Sequence, residues 1–322
     1  MSKLRYLTLP TGVHMPSLGL GTFHAVDKDA LQSTVDQALH VGYRHIDTAY
    51  SYGNEAFIGD VLRLALNAGR IRRNELFLTT KIKSDRFGSE AVIRETFEES
   101  LDRLKLLHVD MLLVHKLPWD ARLSRELNGS VDASEITGSA VARGWKCFEQ
   151  FFRDGSAKGV GVSNFPIRHL ERLLSGAKVK PMNVQLECHA YQQQAQLRAY
   201  CKALNITVTG YSPLGAPARP EIHVQDGDLV LLDDPVVNEI AKQLGRTPAQ
   251  VLLSFLLHLG VAPLVKTLTV HRLIDNFNIY DFQIPDEMFQ KLVALNKNMK
   301  YYRFTSAMDN PEYLTMLRRE AF

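Results

Sequence analysis

The chain has 322 residues, 45% of them hydrophobic and 23% charged, which suits one large α/β barrel or two ordinary domains with a well-packed core. A net charge of +3 without any long basic run offers nothing to nucleic acid or to an anionic membrane, so neither is expected as a partner. No apolar run approaches the roughly 20 residues of a membrane span, residues 1–5 lack the apolar core of a secretory signal, and Cys147, Cys188 and Cys201 have neither CxxC nor zinc-like spacing, so reduced thiols and a cytoplasmic location are expected.

A short hairpin opens the chain: residues 6–9, a Thr11-Gly12 turn, then residues 13–15. Short apolar runs, predicted as strands, follow at 18–20, 43–46, 76–80, 111–114, 159–162, 183–186, 206–211 and 263–265. Amphipathic stretches lie between them at 29–40, 55–67, 90–104, 141–153, 167–174, 194–203 and 234–244. A helix over 248–258 starts from a Thr247 cap with Pro248 in its first position, and two more are predicted at 270–277 and 285–295. Strand and helix alternate in a regular beat, which favours parallel βα units, and eight such strands favour a closed (β/α)8 TIM barrel. The expectation is therefore an α/β chain forming one domain over 1–322, with an N-terminal β-hairpin and extra helices and loops at the C-terminal face of the barrel.

In such barrels the chemistry sits at the C-terminal strand ends and the loops after them. Asp47, Lys81, His115, Ser163, Asn164, Gln185, Tyr211, Ser212, Lys266 and Thr267 all fall at or just beyond predicted strand ends. Tyr52 follows Asp47 by five residues, in the loop before a helix. Singly, each has a plain account: Asp47 as a loop cap, Tyr52 as packing, His115 as a hydrogen-bonded core histidine. Lys81 at the end of an apolar strand is harder to dismiss, because lysine is rarely buried unpaired. Jointly they describe a proton-donating site on one face. The rival, a doubly wound dinucleotide fold, fails because Gly19-Leu20-Gly21 is followed by His24 where the fingerprint needs a third glycine.

Five stretches resemble the aldo-keto reductases: Gly42-Tyr43-Arg44-His45-Ile46-Asp47-Thr48-Ala49, Gly161-Val162-Ser163-Asn164-Phe165, Gln185-Leu186-Glu187-Cys188-His189, Tyr211-Ser212-Pro213-Leu214-Gly215, and Lys266-Thr267 followed by Arg272 and Asn276-Phe277. The likeness runs from the opening hairpin to about Asn298. It implies reduction of aldehydes and ketones by NADPH without a metal, on a small-molecule carbonyl substrate, by a chain expected to be monomeric. It also implies a catalytic set of Asp47, Tyr52, Lys81 and His115. The chemistry agrees: a phenol with an ordinary pKa near 10 holds its proton too tightly at neutral pH. The Lys81 ammonium would stabilise the phenolate, Asp47 would keep that ammonium charged and aimed, and His115 would orient the carbonyl oxygen.

The resemblance assigns Ser163, Asn164 and Gln185 to the nicotinamide carboxamide, and Tyr211 to stacking beneath the ring. Ser212, Leu214 and the Gly215 turn match a loop over the pyrophosphate. Lys266, Thr267 and Arg272 match a grip on the 2′-phosphate, with Asp275 and Asn276 near the adenine; Gly21 and Thr22 join the cofactor set. Asp275 departs from the glutamate frequent in the family.

Other departures bear on substrate. Tryptophans line the pocket in the aldose-reductase branch, and only Trp119 and Trp145 are available here. Phe23, Ser51, Lys83 and Lys116 are expected to line it instead, making it more basic and favouring polar or anionic carbonyl compounds; the alternative is that both lysines face solvent. Ala218 stands where some relatives carry the acid of an acid-to-lysine latch, so looser cofactor clamping is expected. Residues 118–140 read as a long polar loop, and the tail 298–322 is expected to fold over the mouth of the site. Two other functions compete: a regulatory or structural barrel that binds cofactor with little catalysis, and a lyase or isomerase using Lys81 as a Schiff-base amine.

Overall fold

A computed structural model describes residues 5–83, 86, 89–116 and 133–302. The hairpin forms as expected: β1 (Tyr6–Thr8) pairs antiparallel with β2 (His14–Pro16), Leu7 opposite Met15. Gly12 sits in its turn at φ +85°, a conformation glycine adopts without strain.

Eight strands then close a parallel barrel in chain order, with helix α1 (Lys28–Val41) between the first two. They are β3 (Gly19–Gly21), β4 (His45–Asp47), β5 (Phe77–Ile82), β6 (Met111–Val114), β7 (Val160–Ser163), β8 (Asn183–Glu187), β9 (Thr207–Tyr211) and β10 (Val261–Val265), with β10 pairing back onto β3. Every residue of β5, β6, β7, β8 and β10 is buried. Strands covered on both faces need such continuous apolar runs, which is why the sequence shows runs and not alternation.

The chain packs as two compact units. Among the described residues, one comprises 5–21, Ser33–Asp47 and 185–302. Its helices include α6 (Ala195–Ala203), α7 (Pro235–Leu244), α8 (Pro248–His258), α9 (Val270–Phe277) and α10 (Asp286–Val293). α8 begins as its sequence predicts: Thr247 and Gln250 exchange hydrogen bonds in a capping box behind Pro248. Tyr43, fully buried, donates its hydroxyl to the Leu273 carbonyl at 3.1 Å and so ties the entry of β4 to α9.

The other unit comprises Thr22–Gln32 and Thr48–Val184. It holds α2 (Glu55–Asn67), α3 (Glu90–Leu104), α4 (Ala133–Arg153) and α5 (Ile167–Gly176). α2 lies so close to the end of α3 that a methyl on Gly59 would stand 2.2 Å from the Arg103 carbonyl oxygen. The three cysteines are free thiols and all buried.

Several expectations change. Lys81 does not follow its strand: β5 runs on through Ile82, so Lys81 is an interior strand residue and fully buried. α4 begins at Ala133, taking up residues 133–140 that read as loop, because Thr137, Gly138 and Ser139 weaken the helical signal there. Trp145 is no pocket residue; it is buried, stacks on Phe148 and donates its indole N–H to the Val179 carbonyl. Trp119, residues 118–132 of the long loop and residues 303–322 of the tail lie outside the described residues. Among the described residues, no helix is long and apolar enough to cross a membrane.

Candidate active site

In the unit that carries Tyr52, strand register sets the stage. Ile82, Val114 and Val162 lie side by side across β5, β6 and β7. The ladder continues one residue further, where the His115 amide donates to the Ile82 carbonyl. His115 and Ser163 therefore stand one residue past that level, and Lys81 one residue before it.

Tyr52 ends a short 3-10 turn (Tyr50–Tyr52), closed by Gly53 at φ +69°. Lys81 Nζ lies 3.3 Å from its Oη and donates at 2.8 Å to the Thr48 carbonyl. The Tyr52 and His115 rings meet edge-on at 5.5 Å. Ser51 Oγ is 3.3 Å from His115 Nδ1. Burial holds the His115 pKa well below its ordinary 6.5, and the positive charges of Lys81, Lys83 and Lys116 press it further in the same direction. The imidazole is thus neutral at neutral pH.

Asn54 holds the scaffold of this cluster, a role its sequence position did not announce. It precedes α2 yet makes no side-chain cap there. Its side chain, 1% exposed, accepts from Thr48 Oγ1 and donates to the carbonyls of Thr22 and Ala25. It thereby joins the Tyr52 turn to the segment that carries Thr22 and Phe23. Beside it, Glu55 is buried and accepts from Thr80 Oγ1 at 2.6 Å and Ser100 Oγ at 3.1 Å; its pKa is raised by burial against these bonds.

Thr22 is buried and Phe23 exposed, its ring 5.0 Å from Tyr52 and edge-on to His24. Lys83 and Lys116 are half-buried. Ser163 is buried, and Asn164 donates to both Ser163 Oγ and the His115 carbonyl. His24 and Asn164, just beyond β3 and β7, hold the left-handed conformation at φ +56° and +62°. Such strain in non-glycine residues gathers at functional sites.

The other unit carries the remaining assignments. Gly21 pairs in register with Asp47 at the ends of β3 and β4. The buried Asp47 carboxylate accepts from Gln185 Nε2 at 2.7 Å, so a residue assigned to the cofactor touches one assigned to catalysis. Tyr211 is half-exposed, while its hydroxyl is enclosed and its pKa pushed well above 10 by burial. Ser212, next to it, is left-handed at φ +55°, and Leu214 is half-buried. Lys266 and Arg272 are exposed, and neither pairs with a carboxylate among the described residues. Thr267 is buried and accepts from the Thr269 amide ahead of α9. Asp275 is half-buried and Asn276 buried on that helix.

An aromatic face with its hydroxyl hidden, and two cations lacking carboxylates, suit a flat ring and an anionic phosphate. On those observations the residues fit a phosphorylated nicotinamide dinucleotide.

The model of the Aldo/keto reductase family matches residues 17–297. Aldo-keto reductase family 1 member A1-A of Danio rerio is 36% identical, over 92% of this chain and 90% of its own. Rho crystallin of Aquarana catesbeiana is 35% identical, over 97% and 98%. Among solved structures, an aldo-keto reductase (AKR2E5) complexed with NADPH aligns with a TM-score of 0.81 and 31% identity, over 94% of this chain and 91% of that one.

Proposed function

The chain belongs to the aldo/keto reductase family, an oxidoreductase family that uses NADP(H), and from this premise we propose that it reduces an aldehyde or ketone to an alcohol with Tyr52 as proton donor. The observation that carries the reading is the buried Lys81 ammonium 3.3 Å from the Tyr52 hydroxyl. Bound NADPH supplies the hydride. Tyr52 Oη gives its proton to the developing alkoxide, and Lys81 stabilises the phenolate left behind. The family resemblance gives Asp47 the part of supporting the ammonium's charge.

His115, being neutral, has one N–H. Ser51 Oγ lies 3.3 Å from its Nδ1, and we assign the proton to Nε2, the tautomer that donates to a carbonyl oxygen while Nδ1 accepts from Ser51. By the family resemblance, Ser163, Asn164 and Gln185 would hold the carboxamide, and Tyr211 would stack on the ring. Gly21, Thr22, Ser212 and Leu214 line the rest of the cofactor path. Lys266, Thr267 and Arg272 would take the 2′-phosphate, selecting NADPH over NADH, with Asp275 and Asn276 toward the adenine.

Phe23 and Ser51 shape the substrate side, and Lys83 and Lys116 make it basic. Both lysines are half-buried, and their positive charges add to the burial and Lys81 that lower the His115 pKa. This supports a preference for polar or anionic carbonyl compounds. The chain acts as a monomer in the cytoplasm, a reducing compartment that suits its three free thiols.

The test is NADPH oxidation against a panel of neutral, aromatic and anionic aldehydes and ketones, with Tyr52→Phe and NADH in parallel. Turnover that prefers NADPH and is lost in the variant is expected. The likeness to rho crystallin favours a second reading, a structural barrel that binds cofactor. Tight NADPH binding without turnover of any panel member would move the weight to that reading or to a substrate outside the panel.

A further inference from the structure

The segment after β9, residues 212–231, is held by a network centred on Tyr301. That residue is fully buried, and its hydroxyl donates to the Leu229 carbonyl at 2.7 Å. The Arg219 guanidinium lies over its ring at 4.8 Å. A methyl on Gly215 would stand 3.0 Å from the same ring, so the Gly215 turn also rests on it. Tyr301 thus touches the segment at its start, middle and end.

Arg219 closes the segment on itself. It pairs with Asp228 at 2.6 Å, both side chains only 8% exposed, and its other nitrogens donate to the carbonyls of His223 and Ala216. Asp228 also accepts from the Gln225 amide. Breaking one member of such a nearly buried pair is costly, because it leaves the other charge uncompensated.

Glu187 fixes Tyr301 in turn. Its carboxylate accepts from the Tyr301 amide at 2.5 Å, from the Tyr302 amide at 3.1 Å and from His189 Nε2 at 3.0 Å. Tyr302 then meets Tyr211 edge-on at 6.0 Å and His223 at 4.7 Å. Ala218 removed the acid of a latch from this segment, but Arg219, Asp228 and Tyr301 supply another tie.

We propose that Tyr301 is a positioning residue that holds the 212–231 segment in its cofactor-covering form, and that Glu187 sets Tyr301, so that together they govern how fast the cofactor leaves. This rests on the reading above that Tyr211, Ser212 and Leu214 meet NADPH. Loosening the anchor leaves Tyr52, Lys81 and His115 in place. It therefore acts on cofactor release and not on the hydride step.

The experiment is stopped-flow release of NADPH, read by its fluorescence on chasing with excess NADP+, together with single-turnover oxidation of bound NADPH by a saturating aldehyde. Tyr301→Phe removes one hydrogen bond and keeps the ring; its release rate should rise about 3- to 10-fold. Arg219→Lys keeps the charge toward Asp228 but loses the planar stack, and should move release in the same direction. The single-turnover rate should change less than about 2-fold in both. Release unchanged in two variants that melt like wild type would overturn the anchor while leaving the reductase reading intact. Equal loss of the single-turnover rate would overturn it too, by placing the effect in the chemistry. Wild type that binds no NADPH would instead sink the reading beneath it.

Discussion

The Lys81 ammonium reaches the Tyr52 hydroxyl from inside a strand, at 3.3 Å, while its second hydrogen bond goes to the Thr48 carbonyl at 2.8 Å. The phenol thus faces a fully buried cation whose head is held by the Thr48 carbonyl. Replacing Lys81 with Met should lower kcat by about 10²–10⁴-fold, the usual range for a disabled proton transfer, and shift the remaining activity's pH profile toward higher pH. NADPH affinity, measured by fluorescence titration, should stay within about 3-fold of wild type. A profile that does not move would remove Lys81 from its assigned role.

His115 offers a pH test. Its pKa in the fold lies well below 6.5, so protonation is resisted as the medium turns acid. kcat/KM should therefore show no inflection near 6.5. Below that pH the unfolded chain takes up a proton that the folded chain refuses, so this residue makes folding stability fall with falling pH until the lower pKa is reached. In His115→Gln the slope of stability between pH 6.5 and 5 should be shallower, by urea melts at each pH. An equal slope would contradict the assignment.

Lys83 and Lys116 should matter for charge, not for chemistry. Replacing either with Ala should lower kcat/KM for carboxylate-bearing aldehydes by about 3- to 10-fold, as one partly screened charge contact allows. Neutral aldehydes of the same size should change less than about 2-fold. Equal losses for both classes would point to packing and end the anionic-substrate reading.

Asn54 should be felt in both stability and rate. Asn54→Ala removes the donor to the Thr22 and Ala25 carbonyls and the acceptor of the Thr48 hydroxyl, while the Thr22 carbonyl keeps the Ala25 amide, a cost of about 2–4 kcal/mol in urea melts. Asn54→Asp can still accept from Thr48 but donates to neither carbonyl, so it should not restore wild-type stability. Full recovery in the Asp variant would mean that only the Thr48 bond counts.

Much of this was legible in the chain itself. The alternation of apolar runs and amphipathic helices gave the order of the eight strands, because parallel strands buried on both faces leave that signature. Asp47, Lys81 and His115 stood out because polar groups at the ends of apolar runs are costly without a use, and Tyr52 by standing five residues after Asp47. Boundaries were less legible. β5 outlasts its run by including Lys81, which a hydropathy reading takes as an end, and α4 passes through Gly138, which reads as a break. Asn54 and Glu187 were invisible as anchors. Asn54 sits where a helix cap belongs but bonds elsewhere, and Glu187 meets Tyr301 across 114 residues, a separation no local pattern encodes.

The three buried thiols give the chain a reporter of its own integrity. Burial raises the Cys188 and Cys201 pKa values to about 12 and about 11, and raises that of Cys147 as well, so little thiolate exists at neutral pH. A chromogenic disulfide reagent should therefore leave the folded protein nearly colourless and develop three equivalents of colour only as molecules open. In excess reagent the slow colour is a clock for opening, and it can be read on unlabelled protein in any of the variants above.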